Sequence, residues 1–351
     1  MAKLDLSRRG VMIGGAGAAL AGMLPRIVRA QDHGTLVATT YPGPWEEAHR
    51  AFLLPTFMRD TGAKANLTAV LALDAIAKIT ASRNNPPYDA MICDEGPYLA
   101  SIDLDVFAPF PADRSKNIKD LPARFIDPHG LGAFVSVQVI GIAYNPDKIK
   151  TPPASWLDLW KPEYKGRVGL TGMGSSLGTA WMVEIAKLHD GSEADMEPAF
   201  KAVRELLPNV GAIAPNPGAL ATLFQQGQID ISFNYVNNIM PLAARGAPIG
   251  IAKPDSGWVL VRNSMHIIKN TKNYDLATAW IDTALGVEVQ SGMAGAPNYL
   301  APTNSKVPFG SELLKIATNH DELARMTLID WAKINPVRGA LVDRFNREIR
   351  L

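Results

Sequence analysis

The sequence predicts an α/β protein in which largely parallel sheets are covered by helices. Short apolar segments rich in β-branched residues alternate along the chain with segments whose apolar residues recur at helical spacing. The first strand is predicted at 35–40, a Pro-Gly-Pro break follows at 42–44, and a helix follows at 45–61. Strands separated by helices are typical of parallel sheets.

The same alternation continues along the chain, whose 351 residues are long enough for two domains. The predicted strands lie at 65–70, 88–92, 134–144, 167–170, 229–234 and 265–268. The predicted helices lie at 73–83, 177–189, 198–206 and 276–285. We find no internal repeat.

The first thirty residues have the pattern of an export signal. Arg8 and Arg9 precede an apolar run at 11–24, and small residues follow near residue 30. The run is too short to span a membrane, which takes about 20 apolar residues. We therefore predict that segment 1–30 is a signal peptide and is removed, leaving a soluble periplasmic protein. The twin arginine favours export in the folded state; the ordinary unfolded route stays open because Val11 replaces the phenylalanine of that motif.

Composition argues against several other function classes. The 35 basic and 34 acidic residues leave no broad basic face for nucleic acid or an anionic membrane. Cys93 is the one cysteine, which excludes an internal disulfide and a cysteine-based zinc cluster. The six histidines show no paired metal-ligand spacing, and no nucleophile elbow is present. We expect no metal, no cofactor and no enzymatic activity.

Segments 140–149, 155–168, 221–233 and 263–273 resemble the periplasmic solute-binding proteins of ABC importers, specifically the spermidine/putrescine-binding-like group. The resemblance extends over essentially the whole chain after the signal. It implies the type II two-lobe periplasmic-binding-protein fold, in which ligand is held in a cleft between hinged lobes. It also implies a monomer that delivers a small-molecule solute to a permease and ATPase complex.

By this resemblance, lobe 1 comprises residues 32–139 and 265–302, and lobe 2 comprises residues 140–264 and 303–351. Open α/β sheets bind ligands at the carboxyl ends of their strands, so both lobes should present loops to the cleft.

The resemblance also implies an aromatic-lined slot, because the group stacks aromatic rings on the methylene chain of its ligand. Tyr41, Trp45, Tyr235 and Tyr299 are the matching positions in this sequence. The alternative for each of them is a packing role in the core. Two acidic positions of the group are absent, because the return strand reads Val-Arg-Asn at 261–263 and the second-lobe loop at 171–178 has no acid. A linear dication would therefore be poorly compensated.

The second-lobe loop suits an anion instead. Gly174, Ser175 and Ser176 directly precede a predicted helix, and free amides at a helix start bind carboxylate or phosphate oxygens. Arg262 is the expected second donor. The alternative is a plain N-cap and turn. Asp94 and Glu95 follow a lobe 1 strand and should face the cleft, unless they form a solvated loop or cap.

An acid pair opposite an anion cradle suits a zwitterion. We therefore predict capture of a small polar nitrogen-containing solute, either amino-acid-like or polyamine-related, for import. Import of a phosphonate, phosphate or carboxylate anion is one alternative. A secreted enzyme and a sensory receptor subunit on the same fold are the others.

Overall fold

The computed structural model describes residues 34–351 of an α/β protein. The predicted signal peptide, residues 1–30, lies outside the described residues. Among residues 34–351, no helix has the length and apolarity needed to cross a membrane.

Within residues 34–351, twelve strands form one curled sheet. They are β1 Thr35–Thr40, β2 Lys64–Ala69, β3 Ala90–Asp94, β4 Phe107–Ala108, β5 Gly132–Tyr144, β6 Val168–Thr171, β7 Val210–Ala214, β8 Ile231–Tyr235, β9 Gly250–Ala252, β10 Val259–Ile268, β11 Ala301–Pro302 and β12 Thr327–Leu328.

The sheet has parallel ends and an antiparallel centre. Its main order is β2-β1-β3-β10-β5-β8-β6-β7, with β4 and β12 paired to β10 and with β9 and β11 paired to β5. Strands β2, β1 and β3 run parallel, as do β8, β6 and β7. The long strands β5 and β10 are antiparallel to each other and to β8 and β3. This arrangement confirms the predicted α/β class.

Helices cover both faces of the sheet. They are α1 Pro44–Ala48, α2 Leu54–Thr61, α3 Ala72–Ala81, α4 Glu95–Ala100, α5 Ser176–Leu188, α6 Glu197–Leu206, α7 Pro217–Gln225, α8 Val236–Ala244, α9 Tyr274–Ala284, α10 Val287–Ala294, α11 Ser311–Leu314, α12 His320–Arg325 and α13 Trp331–Glu348. A π-helical turn, His49–Leu53, joins α1 to α2. Pro55 follows it, and a proline has no amide for the α-helical ladder, which favours such a bulge.

Three hydrophobic clusters lie along the sheet of residues 34–351. The two large ones are the first core, built on β1 and β3, and the second core, built on β6 and β8; a smaller cluster lies against α3 and α4. Three chain segments pass between the two large cores at one level. Strand β5 contributes Val139 to the first core and Ile140 to the second. Leu260 of β10 pairs there with Val139 on one side and with Leu328 of β12 on the other. Leu328 packs against the first core, and the next residue, Ile329, belongs to the second.

The C-terminal segment therefore changes core near residue 328. Val307, Leu313 and Leu323, which precede that point, are buried in the first core. The bounds of the two lobes stay a prediction. Strand β10 also begins at Val259, well before the predicted 265. Its polar centre obscures the strand pattern in the sequence, whereas its backbone pairs with β5 throughout, with one register shift.

Candidate functional site

A carboxylate lies at the carboxyl end of β3, a strand of the first core. Asp94 Oδ1 accepts a hydrogen bond of 2.8 Å from the Tyr41 hydroxyl and one of 2.8 Å from Asn263 Nδ2. The Tyr41 oxygen in turn accepts the Asp94 amide at 2.8 Å. Tyr41 directly follows β1 and Asn263 lies in β10, so three neighbouring strands of the sheet fix the position of this carboxylate.

An arginine from the second core approaches the same place. Arg338 lies in α13, whose Trp331 and Ile334 are buried in that core, and its own side chain is buried. The guanidinium donates to Thr179 Oγ1 at 3.1 Å and to the Met173 and Gly174 carbonyls at 3.3 and 3.2 Å. Within residues 34–351 no carboxylate lies within ion-pair distance of it. Arg338 is thus a buried cation held by neutral groups.

The helix start beside this arginine is capped by a serine side chain. Ser175 is the N-cap of α5, and its hydroxyl oxygen accepts the Gly178 amide at 3.0 Å. The Gly174 carbonyl accepts from Arg338, so Gly174 and Ser175 both serve to shape the turn. Ser176, the first residue of α5, is buried and its hydroxyl has no hydrogen-bond partner among the described residues.

Tyr235 ends β8 and adds a second buried hydroxyl without a partner among residues 34–351. The charges of Asp94 and Arg338 both act on it, which places it near them. A buried polar group without a partner costs about 1–3 kcal/mol, so a bound molecule that paired with these two hydroxyls would be stabilised beside the carboxylate and the arginine.

The ionisable groups of this site influence one another. Burial raises the pKa of the Asp94 carboxyl, while Ser176, Tyr41, Asn263 and Arg338 act to lower it. Ser176 lies close enough to Asp94 to lower the pKa of its carboxyl, although its hydroxyl is not in hydrogen-bond geometry with it. Burial lowers the pKa of the Arg338 guanidinium, and the Asp94 charge opposes that change. Guanidinium groups nevertheless remain protonated in proteins, so the site holds a cation facing an acid.

The two other charged residues predicted for the site bind each other. Arg262 Nε donates to Glu95 Oε2 at 2.8 Å, and a second bond joins its terminal nitrogen to Glu95 Oε1. Arg262 also donates to the Arg124 carbonyl and lies over the Phe134 ring, 4.3 Å from its centroid. Both charges are compensated, so a ligand would have to compete with this pair.

The two remaining aromatic residues predicted for the site, Trp45 and Tyr299, lie at its edge. Trp45 is buried in the first core, where it packs edge-on between Tyr41 and His49 at centroid distances of 5.8 and 5.3 Å. Tyr299 is half-buried against that core in a left-handed conformation with φ 53°. In the part of the chain that the structure describes, neither side chain hydrogen-bonds to Asp94 or Arg338.

Sequence reasoning missed Arg338 and gave Asn263 no role. A signal was available for the arginine, because it lies seven residues after Trp331 and seven before Phe345, on the apolar stripe of α13. A cation on a buried stripe is unusual and favours a functional role. Among residues 34–351, no group of three or more His, Cys, Asp or Glu side chains is arranged to hold a metal ion.

Comparison with known proteins identifies the family. Residues 90–336 match the model of the bacterial extracellular solute-binding protein family. The chain belongs to this family. The solved structures similar to this solute-binding protein are periplasmic binding proteins of the two-lobe type, in agreement with the predicted fold. Its family and relatives are substrate-binding proteins of ABC transporters and not enzymes, which confirms that prediction.

Two curated relatives and one solved structure are similar to this chain. The spermidine/putrescine-binding periplasmic protein of Escherichia coli (strain K12) is 26% identical over 304 residues, which cover 82% of each chain. The gamma-aminobutyric acid-binding protein of Pseudomonas aeruginosa is 28% identical over 214 residues, which cover 54% of each. The periplasmic binding protein AfuA from Actinobacillus pleuropneumoniae, solved with fructose-6-phosphate, has a TM-score of 0.74 at 23% identity, covering 91% of this chain and 99% of AfuA.

Proposed function

We propose that this solute-binding protein captures an amino-acid-type zwitterion and delivers it to the permease of an ABC importer. One observation carries the proposal. The Asp94 carboxylate, held by Tyr41 and Asn263, lies near the buried guanidinium of Arg338, which has no carboxylate partner among residues 34–351. A ligand bridging them would place its ammonium group at Asp94 and its carboxylate at Arg338. Each contact would compensate a charge that is at least partly removed from water.

The chemistry disfavours a linear dication. A diamine would meet Asp94 at one end, but its second ammonium group would face the Arg338 guanidinium. Like charges at short range in a partly buried site repel strongly. A relative that binds gamma-aminobutyric acid, a zwitterion with separated charges, supports the preference for a zwitterion.

Calorimetric titration with three probes tests the proposal: γ-aminobutyric acid, putrescine and butyrate. Asp94→Asn and Arg338→Gln should each lower the affinity for γ-aminobutyric acid by at least about tenfold, because a hydrogen bond to a charged group contributes about 1.5–3 kcal/mol. Of these two variants, only Arg338→Gln should lower the affinity for butyrate. Putrescine should bind weakly and should gain affinity when Arg338 is removed.

The matched control is Arg344→Gln, on the same helix. Arg344 forms ion pairs with Glu197 and Glu348 at 2.6 and 2.7 Å and makes no described contact with the site. Its loss should leave all three affinities unchanged. Putrescine binding that is tightest of the three and indifferent to Arg338→Gln would overturn the zwitterion proposal.

A parallel Arg262→Gln variant tests the predicted anion donor. Because Arg262 is paired with Glu95, its loss should expose an uncompensated acid and lower stability more than affinity. Equal losses of butyrate affinity in Arg262→Gln and Arg338→Gln would instead assign both arginines to the ligand.

We also propose that residues 1–30 direct export to the periplasm and are then removed. The paired Arg8 and Arg9 and the following apolar run support this. Mass spectrometry of a periplasmic extract should find an N-terminus near Gln31; an intact N-terminus in the cytoplasmic fraction would contradict the proposal.

A further inference from the structure

Behind Asp94, a buried amide is held in one orientation. Asn263 uses its Nδ2 group twice, donating to Asp94 Oδ1 at 2.8 Å and to Gln138 Oε1 at 3.0 Å. Its carbonyl oxygen accepts from the Ser136 hydroxyl at 3.3 Å. Ser136 and Gln138 lie on β5, the strand beside β10. The side chains of Ser136, Gln138 and Asn263 are all buried.

The line of amides continues into the second core. Gln138 Nε2 donates to Asn237 Oδ1 at 3.4 Å, and Asn237 Nδ2 donates to Asn238 Oδ1 at 3.4 Å. Asn238 donates to Asn234 Oδ1 at 3.1 Å, and Asn234 donates to the Pro217 carbonyl at 3.1 Å. Every amide in this part of the line donates in the same direction.

The two ends determine that direction. A side-chain amide can turn by 180° and exchange its donor and acceptor, so its orientation follows from its neighbours. The Pro217 carbonyl and the ionised Asp94 carboxylate can only accept. A line with acceptors at both ends needs one member that donates both ways, and that member is Asn263. Gln138 supplies the acceptor that holds Asn263 in this orientation.

We propose that Gln138 is a positioning residue that keeps Asn263 donating to Asp94, and so makes the site select a cationic nitrogen over a neutral group. Without the Gln138 acceptor, Asn263 can turn its oxygen towards Asp94. Two facing acceptors repel unless the carboxyl takes up a proton. A protonated Asp94 would accept an ammonium group poorly. This inference rests on the proposed use of Asp94 for a ligand ammonium.

Several groups face Asp94, so its ionisation is a balance. Tyr41 approaches from the loop after β1, Ser176 from α5 and Arg338 from α13. Cys93 and Tyr235 are also close, and burial raises the pKa of both well above their usual range, so both stay neutral near pH 7. Burial favours the protonated carboxyl, against these donors and the arginine. Loss of the Asn263 donor should therefore raise the pKa of Asp94.

The first test needs no ligand. Carbon-13 NMR follows the side-chain carboxyl of Asp94 as pH changes, with Asp94→Asn identifying its signal. Gln138→Met should raise the pKa of Asp94. Gln138→Glu, in its protonated form, offers an acceptor to Asn263 and a donor to Asn237, and should leave the titration near that of the unmodified protein. Ser136→Ala removes the other bond that orients Asn263 and should act in the same direction as Gln138→Met.

The second test measures selectivity at pH 7 with γ-aminobutyric acid and butyrate. Gln138→Met should weaken γ-aminobutyric acid about tenfold and leave butyrate unchanged. An unchanged Asp94 titration in folded Gln138→Met and Ser136→Ala proteins would overturn the inference, as would equal weakening of both probes. If γ-aminobutyric acid fails to bind the unmodified protein, the zwitterion proposal loses its support while the NMR titration still decides the role of Gln138.

Discussion

Helix α13 packs on α4 around Gly96, and we predict that this contact controls closure of the cleft between the two lobes. The Trp331 ring packs directly on Gly96 in α4, and Asn335 Nδ2 donates to the Gly96 carbonyl at 2.9 Å. Trp331 belongs to the second core, whereas α4 follows β3 of the first. Separation of the two cores would break this contact.

A Gly96→Ala substitution should therefore oppose the closed form. The added Cβ would lie 2.5 Å from Trp331 Cε3, whereas ordinary contact begins at 3.4 Å, so the ring would have to move by about 0.9 Å. Overpacking of this kind costs about 1–3 kcal/mol. If that cost falls on the closed form alone, the closure equilibrium shifts about 5- to 150-fold, and apparent solute affinity falls by the same factor.

Calorimetry with a solute that binds the unmodified protein, together with urea unfolding of the free protein, measures both consequences. Gly339→Ala is the matched control, because it lies on α13 and its new Cβ would meet nothing within 4 Å. It should leave affinity unchanged and raise stability by about 0.4–1 kcal/mol. Normal affinity with reduced unfolding free energy in Gly96→Ala would refute the reasoning, since the contact would then persist in the open form.

Two further predictions concern stability. Burial lowers the pKa of His49 to about 3, so between pH 6.5 and 3 the unfolded state binds more protons than the folded state. The free energy of unfolding therefore decreases as the pH is lowered, by about 1.4 kcal/mol per pH unit. His49→Gln should remove this component in urea unfolding at pH 4.5 and 7, and an unchanged pH dependence would contradict the prediction. Gln290→Leu should lower the free energy of unfolding by at least about 3 kcal/mol in the same assay. The Gln290 amide donates to the Val135 carbonyl and the Thr303 hydroxyl and accepts from the backbone amides of Thr303 and Asn304. A loss below about 1 kcal/mol would contradict this.

The sequence predicted the fold where local pattern and burial agree. The run Ala90–Asp94 is apolar until its last residue, and the structure places it between two strands of the sheet with the acid at its end. Strand β10 was predicted too short, because Arg262, Asn263 and Ser264 interrupt its apolar pattern. Their backbone groups are nonetheless paired with β5, and that pairing depends on a partner far along the chain.

The site was predictable to the extent that it follows strand ends. Tyr41, Asp94 and Tyr235 each lie at the end of a strand, and the structure brings them to one place. The pairing of Arg262 with Glu95 depends on the register in which Asn263 lies opposite Asp94, which no local signal encodes. Arg338 reaches the site because α13 packs across to α4, a tertiary contact that its own sequence does not announce.

The three segments that pass between the cores lie side by side as β5, β10 and β12, joined by ladder hydrogen bonds. Neighbours tied in this way cannot slide or twist independently without breaking those bonds, so they must flex as one strip. The relative movement of the two halves then has essentially one degree of freedom. A single pair of spin labels, one on each half, would be enough to follow it.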